Sequence, residues 1–76
     1  MYKRRTKAKS WFKKAGKEKI DAFVKEAMLS DFDTEVCYLR KKKESYIKIA
    51  GVMHCDATTV ARSVARIYDA IFLLVL

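Results

Sequence analysis

Seventy-six residues, 51% of them hydrophobic, suffice for one core and not two. Seventeen Lys and Arg against nine Asp and Glu leave a formal net charge of +8; that attracts polyanions and places nucleic acid ahead of an acidic membrane surface or an acidic protein. With no proline and only Gly16 and Gly51, the chain lacks the turn chemistry of tight hairpins, so an all-α bundle of about four helices is expected.

Residues 1–14 carry Lys3, Arg4, Arg5, Lys7, Lys9, Lys13 and Lys14 with no acidic residue, interrupted by Trp11 and Phe12. They read as a basic arm, either solvated or meeting phosphates through Arg4 and Arg5, with the two rings anchored on the body. Gly16 marks a turn, dividing the chain into an arm and anchor over 1–16 and a helical domain over 17–76. From 17 to 28, Ile20, Phe23, Val24, Ala27 and Met28 fall at i, i+3, i+4, i+7 and i+8, one face of an amphipathic helix. Ser30 is a suitable N-cap for the next helix, with Asp33 in its first turn where a negative charge suits the helix dipole. Phe32, Val36 and Leu39, with Cys37 nearby, form the buried side of that helix. The cations Arg40, Lys41, Lys42 and Lys43 close it.

Ser45 can cap a short helix whose apolar surface comes from Tyr46, Ile47, Ile49, Ala50, Val52 and Met53. His54 and Cys55 make a tight connection, and Asp56 caps a last helix by accepting from the backbone of Thr58 or Thr59. In that helix Val60, Val64, Ile67, Ile71 and Leu74 recur at i, i+4, i+7, i+11 and i+14, the strongest periodicity in the chain.

Residues 45–66 thus combine a short helix, a tight turn, a capped second helix and a small crossing residue, Ala50, which are the parts of a helix-turn-helix. His54 stands where a left-handed backbone is often needed, and histidine tolerates that region better than most residues. With Val60, Val64 and Ile67 inward, Thr58, Arg62, Arg66 and Asp69 face outward, with Thr59 at the margin. Arginine can pair bidentately with guanine and threonine can bond a base or touch a thymine methyl, so Thr58, Thr59, Arg62 and Arg66 are the expected base contacts. Arg40, Lys41, Lys42, Lys43 and Lys48 join Arg4 and Arg5 as expected phosphate contacts. Solvated cations on a core helix are the plainer reading of Arg62 and Arg66. The turn, cap and crossing residues at matching spacing favour double-stranded DNA.

A resemblance joins these residues. L-S-D-F-D-T-E-V-C-Y-L-R from Leu29, followed by S-Y-I-K-I-A-G-V-M-H-C-D-A-T-T-V-A-R-S-V-A-R-I-Y-D-A-I from Ser45, resembles the fourth conserved region of bacterial sigma factors and the small bacterial and phage regulators with that fold. The match spans a little over half the chain and rests on Ile49 and Ala50, the cap Asp56 where serine is frequent, Thr59 with Val60, and residues 62–67. It implies that Thr58, Thr59, Arg62 and Arg66 face the groove and that residues 40–43 approach phosphates. His54 departs from the usual glycine. No other sigma region is present, so promoter specificity and core-polymerase binding are not implied.

A second class of function is a protein-interaction module or inhibitor on the same scaffold, meeting a host protein such as RNA polymerase or a nuclease. Residues 71–76 are apolar almost all round but too short to span a bilayer, so Phe72, Leu73, Val75 and Leu76 are expected to form a homodimer contact. No membrane partner is expected. Cys37 and Cys55 read as reduced core residues, and His54 beside Cys55 lacks a second ligand pair, so neither metal nor cofactor is expected. A single histidine, no glycine-rich phosphate loop and no clustered carboxylates argue against catalysis. No signal-peptide pattern follows the basic start, and a cytoplasmic protein is expected.

Overall fold

The computed structural model describes residues 2–76, with side chains from Arg4 onward; Met1 and the Lys3 side chain of the expected arm lie outside the described residues. Five helices follow in order: α1 Tyr2–Lys14, α2 Lys17–Ala27, α3 Asp31–Lys41, α4 Tyr46–Met53 and α5 Ala57–Leu74. The fold is all-helical, with one helix more than the four expected. The additional helix is the basic segment read as an arm. Ala8, Trp11, Phe12 and Ala15 recur at i, i+3, i+4 and i+7, a helical stripe that the density of lysines conceals. Ala8, Phe12 and Ala15 are buried, and Trp11 packs edge-to-face on Phe23 of α2 with ring centroids 6.1 Å apart. Apolar burial, not chain stiffness, makes this segment helical.

Each later boundary has a local cause. Helix α2 ends one residue early because Met28 takes a left-handed conformation, φ 51°, which turns its side chain out to 87% exposure instead of onto the expected core face. Ser30 Oγ accepts the Asp33 amide at 3.1 Å and starts α3. The Tyr38 hydroxyl donates to the Asp21 carboxylate, joining α3 to α2; this bond pushes the phenol up to about 12. Lys41 Nζ donates to the carbonyls of Phe12 and Lys13 at 2.6 and 3.1 Å, capping the end of α1 with a cation from α3.

The 18 residues of α5 form the axis of the bundle, about 27 Å long at 1.5 Å per residue. All four other helices pack on it. It can serve them all because its buried stripe of Val60, Val64, Ile67 and Ile71 is widened by Ser63 on one side and Tyr68 on the other. Ile20, Phe23, Val36, Cys37 and Ile49 complete the core. The stripe ends at Ile71, not Leu74: the last turn of α5 runs past the body, leaving Leu74 half exposed. No helix among the described residues is long and apolar enough to cross a membrane.

Candidate nucleic-acid interface

Helices α4 and α5 are separated by residues 54–56 alone. Ser45 Oγ accepts the Lys48 amide at 3.1 Å to begin α4, and Asp56 Oδ1 accepts the Thr59 amide at 2.8 Å to begin α5. Between them His54 is left-handed, φ 56° and ψ 47°, and the Cys55 amide donates to Ala50 O at 3.0 Å, closing the turn. Ala50 is buried, and α4 packs directly on α5. His54 is exposed and bonds nothing with its ring among the described residues, so it gains nothing there to offset the left-handed backbone. Replacing it with glycine is expected to stabilise the fold by about 0.5–1 kcal/mol, read as a rise in thermal midpoint by circular dichroism. A fall would mean that the imidazole makes a contact that the turn needs.

The four expected base-contacting residues meet different fates. Thr58 and Arg62 are exposed one turn apart at the start of α5, and Arg62 makes no hydrogen bond or ion pair among the described residues. Thr59 spends its hydroxyl on the cap, donating to Asp56 Oδ1 at 2.9 Å. Its amide and hydroxyl together hold the Asp56 carboxyl below the usual carboxylate range. Arg66 is clamped by Asp33, Nε to Oδ2 at 3.0 Å and Nη2 to Oδ1 at 2.8 Å, although its side chain remains 57% exposed. Ser63 donates to the same carboxylate at 2.6 Å. Sequence reasoning assigned Asp33 only to the helix dipole; its partners lie 30 and 33 residues away, beyond any local signal.

The expected phosphate contacts divide in the same way. Arg40 turns inward, donating to Glu44 O at 2.5 Å and lying over the Tyr46 ring at 4.9 Å, and Lys41 caps α1. Lys42 and Lys43 are exposed without ion pairs among the described residues, while Lys48 lies 3.8 Å from Glu44. Arg4 covers the Phe72 ring at 5.0 Å, and Arg5 pairs with Asp69 at 3.2 Å, so the start of α1 lies beside the C-terminal part of α5. In the first two turns of α5, Thr58 and Arg62 are exposed. The expected dimer residues Leu73, Val75 and Leu76 are exposed, Leu73 by 72%, whereas Phe72 is half-buried beneath Arg4.

Cys37 is buried, which pushes its thiol up to about 11, and Cys55 is partly buried against the core; both are free thiols. Among the described residues no three His, Cys, Asp or Glu side chains converge as a metal site. Compared with known proteins, the chain matches no family, no curated protein and no solved structure.

Proposed function

We propose that this protein binds double-stranded DNA in a sequence-dependent way, acting in the cytoplasm as a transcriptional regulator of bacterial or phage type. The start of α5 would enter the major groove. One observation carries the reading: Thr58 and Arg62 stand exposed and one turn apart at the start of a capped helix, held by a three-residue turn against a shorter one. A recognition helix reads bases with its first turns, and Thr58 and Arg62 are exposed there. The net charge of +8 supplies the long-range attraction. Lys42, Lys43 and Lys48 are the phosphate contacts nearest this motif in sequence, with Arg4 and Arg5 contributing from α1. The mechanism is occupancy of a site and not chemistry. Selection from a random duplex pool tests it: enrichment of a short motif is expected, and retention of the unselected pool without enrichment sinks sequence-specific binding.

In this reading Leu73, Val75 and Leu76, with the edge of Phe72, join two copies so that two α5 helices meet successive turns of DNA. Support comes from the run of exposed apolar residues where α5 outlasts the body. Because Ile71 is fully buried, the test must spare it. Replacing Leu73→Glu and Leu76→Glu is expected to turn a concentration-dependent dimer into a monomer in sedimentation. A native chain that is monomeric at every concentration removes the dimer.

A protein-interaction module is favoured by a different feature. Ile47 is 79% exposed on α4 and Val52 lies exposed on the same short helix, an apolar surface for which DNA has little use. A pull-down of the host RNA polymerase or a nuclease that survives nuclease treatment and is lost with Ile47→Asp supports this module; loss on nuclease treatment supports DNA.

A further inference from the structure

Helix α1 carries a second feature that the motif does not account for. Between α1, the end of α3 and α5 lies a cleft of about 280 Å³. Lys9 and Lys13 of α1 face Arg40, Lys41 and Lys43 across it. Its floor is aromatic: Phe12 and the nearly buried Tyr68 pack edge-to-face with centroids 6.0 Å apart. A second cleft of similar volume shares Lys9 and Tyr68 and continues past Arg5 and Tyr46 to Ala61 and Ala65, the helical neighbours of Arg62. The two form one track along α1 towards the open start of α5. Among the described residues no carboxylate lines either part.

Several cations of this fold are held by partners. Arg5 answers Asp69, Arg40 answers Glu44 O, and Lys41 answers the end of α1. Lys9, Lys13 and Lys43 answer nothing among the described residues, yet they surround one concavity. Together with Arg40 and Lys41 they line a hollow over an aromatic floor, a concentration of positive charge that favours an anion there. The walls are also preformed. Lys41 ties α3 to the last carbonyls of α1, fixing the two helices that flank the cleft, while Lys43 reaches it from the turn after α3 with a left-handed backbone, φ 68°.

We infer that this cleft binds phosphate-ester groups, with Lys9, Lys13 and Lys43 as the charge-bearing contacts and the Phe12–Tyr68 floor excluding water beneath them. The phosphates have two possible sources: the backbone of the duplex read by α5, which rests on the DNA-binding proposal above, or a free polyphosphate, which does not.

The test uses the full chain with Lys9→Gln, Lys13→Gln and Lys43→Gln together, against an equal loss of charge elsewhere, Lys14→Gln, Lys19→Gln and Lys25→Gln. Glutamine keeps the stems and the helices, and circular dichroism verifies both folds. In the first arm, anisotropy of a labelled duplex is followed across salt concentration. The cleft variant is expected to flatten the slope of log affinity against log salt by about 2–3, and the control by less than about 1. In the second arm, calorimetry with sodium tripolyphosphate is expected to show a one-to-one site weakened at least about ten-fold in the cleft variant only. A cleft-specific effect in the first arm identifies the backbone as a source, and one in the second identifies free polyphosphate. If the two variants behave alike in both arms, the inference is overturned. Arg62→Ala separates the two proposals: it removes sequence preference and leaves tripolyphosphate binding unchanged.

Discussion

Replacing Asp33 with alanine is expected to lower the stability of this fold by about 2–3 kcal/mol, the range for losing charged hydrogen bonds with a buried hydroxyl left unpaired. For a domain of this size that moves the thermal midpoint down by about 10–20 °C. Asp33 is 7% exposed, receives both branches of the Arg66 guanidinium and the hydroxyl of the fully buried Ser63, and thereby ties the start of α3 to the middle of α5. Arg66→Ala is expected to cost as much at neutral pH, because it strands the carboxylate with Ser63 alone. The pH dependence follows from the sign of the shift. The Arg66 guanidinium holds the Asp33 carboxyl below its usual range, despite the opposing effect of burial. Its contribution is therefore complete above the unfolded value of about 3.9 and is lost as pH falls below it towards the folded value. The gap between native and Arg66→Ala chains, measured by urea unfolding, should close across that acidic window. A gap that is constant down to pH 2 would mean that the pair is not what links the two helices.

Arg62→Ala is expected to do the opposite: little to the fold and much to DNA binding. The side chain is exposed and makes no hydrogen bond or ion pair among the described residues, so stability should change by no more than about 0.5 kcal/mol. If Arg62 reads a guanine, its loss costs about 1–3 kcal/mol at the selected site, roughly five-fold to more than a hundred-fold in affinity, while weak retention on random duplex persists. Competition binding with selected and scrambled duplexes measures the difference. Equal affinity of native and Arg62→Ala chains for the selected site ends the assignment of α5 as the reading helix. A double replacement with Arg66 is a poorer experiment, since Arg66 also holds Asp33 and its removal lowers binding by unfolding.

The distinction between Arg62 and Arg66 shows how far periodicity reaches. Four residues apart on one helix, both fall on the side opposite Val60 and Val64, and nothing local separates them. The structure separates them by the neighbour each meets. Helix α3 crosses one flank of α5 and brings Asp33 to Arg66; α1 crosses the other and brings Arg5 to Asp69. Arg62 lies between and meets neither. Thr59 differs again, because the same Asp56 that caps α5 also takes its hydroxyl. Lys41 was equally undecidable among its basic neighbours, since the carbonyls it caps belong to residues 28 and 29 positions earlier.

What the sequence determined by itself was local. The caps Ser30, Ser45 and Asp56, the left-handed His54 and the buried stripe from Val60 to Ile71 follow from contacts within four residues, and all stand where their pattern places them. Three outcomes waited on the tertiary structure. The basic segment became α1, because its Ala8, Phe12 and Ala15 needed the rest of the core to bury them; Leu74 left the core, because α5 outlasts the body that would have covered it; and the cations divided into structural and free according to which carbonyl or carboxylate a distant helix delivered. The physical reason is common to all three. Caps and periodicity are short-range and encoded in adjacent residues, whereas burial and charge pairing depend on partners that only packing brings within reach.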